Sequence, residues 1–159
     1  MNPTETPASP PCAVLDTNAT LDWLVFADAG MVPLSAAILA QEVRWLASPR
    51  MRDELARALT YPTLVRWNPD RERALTCFDR WAGLLADPLR TTVGPLVCSD
   101  PDDQVFIDLA VAGQARWLVT RDRALLKLKR HAALCGVTVV PPTQWLLGGE
   151  GAAAAATPG

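Results

Sequence analysis

Short apolar runs, each closed by a polar or acidic residue, alternate along the chain with longer amphipathic stretches. "CAVLD" (12–16) is such a run, ending in Asp16, and suits a buried strand. The spacing after it predicts a helix from about Asn18 to Ala29, with Leu21, Leu24 and Val25 on one face and Gly30 closing it. "PLSAAILAQE" reads as a short helix and "VRWLA" (43–47) as a second strand. In "SPRMRDELARALTYP", Ser48 is a good N-cap, Pro49 takes the first helical position and Pro62 stops the helix. "NPDRERALTCFDRWAGLLADP" repeats that design, with Asn68 as cap, Pro69 first, and Leu75, Phe78, Ala82 and Leu85 as the apolar stripe. "PLVCSD" is strand-like, "RWLVT" (116–120) is a further strand, and "DRALLKLKR" a further helix. "GVTVVPPTQWLL" holds a last strand and a short last helix, and no internal repeat is visible. Strands alternating with helices through short links predict a three-layer α/β/α domain around a central, mostly parallel sheet. Ligands of such sheets gather beyond the carboxyl ends of the strands.

Composition narrows the class. The chain has 159 residues, half of them hydrophobic and a fifth charged, which fits one domain with a real core. Residues 1–11 are Pro-rich and polar and are expected to be disordered, and 148–159 form a low-complexity tail, which leaves a domain over 12–147. No apolar run is long enough to span a bilayer, and the N-terminus lacks the form of a signal peptide, so a cytoplasmic protein with no membrane contact is expected. Cys12, Cys77, Cys98 and Cys135 are scattered, without a C-x-x-C pair, which favours small buried thiols over disulfides or zinc. His131 is the only histidine, so a multi-His metal site is excluded. With a net charge of −2, the chain has no overall electrostatic grip on nucleic acid. Any such contact must use a local patch or bound cations.

The carboxylates are less ordinary. Asp16 and Asp122 each close or follow a predicted strand, at the carboxyl edge of the sheet. Either alone could simply cap the next helix. In "CSDPDDQVFIDLA" (98–110), a helix starting near Pro101 puts Asp103 on one face with Phe106, Ile107 and Ala110. Asp103 thus tops a buried stripe. Asp102 and Asp108 are turned roughly 100° and 140° away, as solvated residues, and Asp100 is open as a cap or an accessory ligand. Glu54 lies on the rim of the stripe holding Met51 and Ala58, while Asp53 points elsewhere. Acids gathered at one sheet edge repel unless protonated or paired with a cation. Oxygen-only ligands suit Mg²⁺ or Mn²⁺, ions that act on phosphate esters.

"VLDTN", "RDELARAL", "DPDDQVFIDLA" and "WLVTRDRALL", in that order, resemble the motifs of a PIN-domain nuclease over about residues 12–147. The nearest resemblance is to the toxin component of a type II toxin–antitoxin pair, related to VapC toxins. The resemblance implies an acidic metal site of Asp16, Glu54, Asp103 and Asp122, which are then the catalytic residues, with Mg²⁺ or Mn²⁺. It implies that Asn18 and Thr120 orient ligands and water, and that Arg121, where Gly is frequent, influences substrate phosphates. Ala19 departs from a commonly bulky aliphatic position. The implied reaction is endoribonucleolytic hydrolysis leaving a 5′-phosphate and a 3′-hydroxyl, and the implied partners are RNA and a cognate antitoxin protein.

Arg121, Arg123, Lys127 and Lys129 either guide an RNA backbone or form a solvated helix face. Six tryptophans in a small domain are mostly core or rim residues, and together with the resemblance they point to a homodimer. A PIN scaffold that binds RNA or a protein without useful catalysis is the alternative. A haloacid-dehalogenase-type phosphotransferase needs a second Asp where Asn18 stands, a receiver domain needs a "K-P" strand end that is missing, and no G-x-G-x-x-G follows any strand.

Overall fold

The computed structural model describes residues 9–147. The expectations for 1–8 and 148–159 lie outside the described residues. Within 9–11, Pro11 is already tied to the domain, its carbonyl accepting from Arg44 N at 2.9 Å.

The chain begins with β1 (Cys12–Leu15), α1 (Thr17–Leu24), a 3-10 turn (Ala29–Met31) and α2 (Val32–Leu39). It continues with β2 (Arg44–Ala47), α3 (Pro49–Ala58), α4 (Pro62–Val65), α5 (Arg71–Trp81) and β3 (Ala82–Leu84). After a long loop come a 3-10 turn (Pro101–Asp103), α6 (Gln104–Ala112), β4 (Trp117–Val119), α7 (Arg123–Leu126), α8 (Lys129–Leu134), β5 (Thr138–Val140) and a closing 3-10 turn (Pro142–Gln144). The five strands form one sheet in the order β3-β2-β1-β4-β5, with every pairing parallel. Helices cover both faces, giving the expected α/β/α layers. β1 is central, and Ala13, Val14 and Leu15 are buried between neighbours on both sides. The strand order reverses direction at β1, where β2 leaves to one side and β4 to the other. That divergence opens a crevice above the carboxyl ends of β1 and β4.

Ser48 caps α3 through Met51 N, with Pro49 at the first position, as the sequence predicts. Other details differ, each with a local cause. α1 stops at Leu24 rather than near Ala29, and Gly30 sits inside the following turn. The competing signal is Asp28, whose side chain accepts from Gly30 N at 2.8 Å and starts a new turn that buries Met31. Pro62 does not merely end a helix: it opens α4 at the favoured first position. Asp70, not Asn68, caps α5, accepting from Arg73 N at 2.9 Å. Asn68 is instead left-handed (φ 45°), closing the turn before it, a conformation Asn tolerates.

The third strand is also elsewhere. "PLVCSD" is a loop, and β3 follows α5 without a linker. The loop's apolar character has another use: Cys98 is buried, and Leu96 packs on the core. Its backbone is satisfied by the buried side chain of Gln104, which accepts from Cys98 N at 2.7 Å and donates to Leu96 O at 3.0 Å. Gln104 also donates to Asp108 at 3.0 Å, and Asp108 accepts from Thr91 N at 3.0 Å. Asp108 is therefore buried and structural, not solvated, because the 85–100 loop roofs that side of α6. Asp102 is exposed, as expected. The helix predicted over 122–130 breaks at Leu128 into α7 and α8.

Trp45, Trp117 and Trp145 are buried, and Trp23 stacks obliquely on Trp45 at 5.2 Å between ring centroids. All four cysteines are free, with Cys98 buried, Cys12 and Cys77 half-buried and Cys135 exposed. Among the described residues no single helix is long and apolar enough to cross a membrane.

Candidate active site

The crevice above β1 and β4 is a cleft of about 350 Å³. Asp16, Glu54, Asp103 and Asp122 all line it, as do Asp100, Asp102 and Asn18, all three exposed. Four acids separated by up to 106 residues of sequence thus meet at one sheet edge, brought there by strand order.

Each acid is placed by backbone it helps to cap. Asp16 leaves β1 and caps α1, its Oδ1 accepting from Ala19 N at 2.8 Å. Its Oδ2 accepts from the hydroxyl of Thr120, at the end of β4. The same hydroxyl accepts from Asp122 N at 2.9 Å, and Asp122 caps α7 through Ala124 N at 2.8 Å. Thr120 is fully buried, so one side chain ties the ends of β1 and β4 together and sets the spacing of Asp16 and Asp122. Asp103 ends the 3-10 turn that Asp100 caps, just before α6. Glu54 comes from α3, across the cleft, and pairs with Arg57 Nη2 at 2.6 Å.

The electrostatics are strained. Burial pushes the Asp16 carboxyl up to about 6; hydrogen bonds from Thr120 and Ala19 oppose this, and the Asp122 and Asp22 charges add to it. Asp103 is pushed up to about 7, first by burial and then by the charge and hydrogen bond of Asp122 beside it. Asp103 Oδ2 is buried without a hydrogen-bond partner. A buried carboxylate oxygen facing other carboxylates is satisfied by a proton at low pH or by a cation at neutral pH.

That orphaned oxygen and the all-oxygen donor set fit a hard divalent cation held by Asp16, Asp103 and Asp122. The fit is not ready-made: among the described residues no group of three or more acidic, His or Cys side chains is already arranged as a ligand set. Glu54 is turned to Arg57, and both oxygens of Asp16 are engaged.

Arg121 does not line the cleft. Its guanidinium pairs with the buried Asp22 of α1 and lies 3.8 Å from Asp28. Burial pushes Asp22 up and Arg121 opposes this. Sequence reasoning missed Asp22, and it missed Phe26 and Tyr61 in the cleft wall. The "YP" pair was a usable signal, since a residue before proline is held extended.

A parallel α/β/α sheet with a carboxylate-lined cleft over its diverging strands defines the class of protein. The chain belongs to the PIN domain family: the family model matches residues 12–124, which include all four acids. PIN domains are generally nucleases and typically use divalent metals. Among solved structures, the chain is similar to the crystal structure of PAE2754 from Pyrobaculum aerophilum, with a TM-score of 0.55 and 19% identity. That match covers 88% of this chain and 89% of the other, and at this identity the likeness concerns the fold alone. No curated protein matches the chain.

Proposed function

We propose that this PIN domain is a cytoplasmic Mg²⁺- or Mn²⁺-dependent endoribonuclease, acting as the toxin of a type II toxin–antitoxin pair. The observation that carries the nuclease reading is the buried, unpartnered oxygen of Asp103 set against Asp122 and Asp16 in one open cleft. A cation held there would polarise a phosphoryl oxygen and lower the pKa of water. The chain's own groups do the rest. Asp16, Asp103 and Asp122 bind and orient, and Thr120 keeps Asp16 and Asp122 in register. Glu54, once released from Arg57, completes the acidic set from the opposite wall. Asn18, exposed in the cleft, orients water or phosphate. Arg121 acts on substrate binding through Asp22 and the turn that carries Asp122, rather than from within the cleft.

The toxin role rests on the motif resemblance, and with it the cognate antitoxin as partner. Exposed Arg123, Lys127 and Lys129 lie on the segment after Asp122, where they can guide an RNA backbone. A homodimer is supported by exposed apolar side chains, among them Leu89 (95% exposed), Leu134 (85%) and Val93 (81%). One observation favours the alternative, a PIN scaffold that binds RNA or a protein without turnover: the Glu54–Arg57 pair leaves the acidic set incomplete.

Incubating the purified protein with a mixed RNA pool separates the two. The nuclease reading expects discrete cleavage with Mn²⁺ or Mg²⁺, none with chelator, and 5′-phosphate and 3′-hydroxyl ends. Intact RNA under every metal condition would leave the scaffold reading.

A further inference from the structure

The cleft is lined by aromatic as well as acidic side chains. Phe26, Tyr61, Leu64 and Phe106 border the same 350 Å³ space as the acids. Phe106 and Leu64 are core residues, but Tyr61 is 46% exposed and Phe26 is half-buried. Tyr61 therefore borders the opening, and Phe26, packed against the core, also lines the cleft.

The backbone beside each ring is constrained. Tyr61 precedes Pro62, which restricts it to extended backbone, and its φ of −64° and ψ of 139° are in that region. It is followed immediately by α4, so the backbone that carries the ring is fixed between Pro62 and the helix start. Phe26 is braced from behind by Trp67, edge to face, at 4.8 Å between centroids. Each member of that pair is followed by a left-handed residue, Ala27 (φ 50°) and Asn68 (φ 45°). For Ala27 that conformation costs about 1–2 kcal/mol relative to glycine. The turn that pays this cost is the one that ends α1 early and presents Phe26 to the cleft.

We propose that Tyr61 and Phe26 form a stacking subsite for an unpaired nucleobase flanking the phosphate held at the acidic set. The proposal rests on the nuclease reading for the phosphate's position. Single-stranded nucleic acid is gripped by pairing a backbone-binding surface with aromatic faces that accept bases. Here the backbone surface is the acidic set with its cation, and the aromatic faces line the same cleft. The subsite makes the cleft selective for unpaired strands, because a base locked in a duplex cannot turn onto Tyr61. Aromatic side chains, with only two rotatable bonds, lose little freedom when a base stacks on them.

The test uses a single-stranded RNA oligomer carrying 2-aminopurine, whose fluorescence falls when it stacks on an aromatic ring. The protein with Asp103 intact is titrated with it in millimolar Ca²⁺ in place of Mg²⁺ and Mn²⁺, with the probe moved along the strand. Quenching should occur at one or two positions only. In the Tyr61→Ala and Tyr61→Leu backgrounds that quenching should vanish and affinity should fall about 5- to 150-fold, the range of one base–aromatic stack. Tyr61→Phe, which keeps the ring, should restore both. Tyr61→Leu retains apolar bulk, so a loss of binding there cannot be assigned to a collapsed cleft. A hairpin with the probe in its stem should show no Tyr61-dependent quenching. Equal quenching in wild-type and Tyr61→Ala backgrounds, or equal loss in Tyr61→Phe and Tyr61→Ala, would overturn the stacking subsite. Tyr61-dependent quenching in a protein that never cleaves RNA would uphold the subsite and sink the nuclease reading, so the two fail separately.

Discussion

Asp103→Asn lowers RNA cleavage by more than about 100-fold, while Asp102→Asn, one residue earlier, leaves it within a few-fold. The contrast follows from where the two side chains stand. Asp102 also borders the cleft, but it is exposed and gives its backbone N–H to the Asp100 cap. Asp103 faces the cleft with one oxygen buried and unpartnered, beside Asp122. Asn at 103 keeps the shape but offers an amide where a charged oxygen is needed. Loss of a group that merely orients a ligand usually costs about 10–100-fold, and loss of a ligand itself should cost more. Asp16→Asn should fall with Asp103→Asn, since Asp16 is buried at the end of the central strand and shares Thr120 with Asp122. Rates measured on one RNA substrate for the three variants check this. An inactive Asp102→Asn beside an active Asp103→Asn would mean that Asp102, not Asp103, is the cation ligand.

The second large effect is on stability. Without divalent cations, the protein should lose stability as pH rises from about 4 to about 7 and then level off. Asp16 and Asp103 are both raised in the fold, from 3.8 to about 6 and about 7. Between the unfolded and folded values the native state binds more protons than the unfolded state, so stability falls with increasing pH. Below the unfolded value both groups are neutral in both states and the penalty is absent; above the folded value it is complete. For the buried Asp16 alone, the rise to about 6 corresponds to roughly 3 kcal/mol. That is on the order of 6–12 °C in melting temperature for a domain of this size. Asp103 is partly open to solvent and adds less than its larger rise would imply. A corollary separates this from ordinary damage: Asp103→Asn should make the metal-free protein more stable at pH 8 even as it destroys activity. Denaturant unfolding of both proteins from pH 4 to 8 in chelator checks the sign. Stability that rose with pH across that window would contradict the strained-carboxylate account.

What the sequence revealed and what it hid divide along physical lines. β1, β2 and β4 are short apolar runs with nothing competing, and they were legible, as was the Ser48–Pro49 start of α3. β3 was not, because two half-buried residues and an exposed one, joined directly to α5, carry too little pattern to register as a strand. "PLVCSD" was mistaken for it because a loop held by Gln104 and packed through Leu96 and Cys98 needs the same apolar residues as a strand. The acids could be read one at a time from strand ends and helix phase, but their meeting depended on strand order, which the sequence carries only indirectly. Asp108 shows the limit of helix phase: it gives a direction, not what lies there. Arg121 shows another, since adjacency to Asp122 says nothing of the buried Asp22 that engages its guanidinium.

The central claim is that the cleft carboxylates of this PIN domain are a cation site. Calorimetric titration of Mn²⁺ into metal-free wild-type and Asp103→Asn proteins at pH 7.5 tests it most directly. The account predicts saturable binding by the wild type and affinity weaker by at least about 10-fold in Asp103→Asn. Equal affinity in the two proteins, or no binding by the wild type at millimolar Mn²⁺, would contradict it.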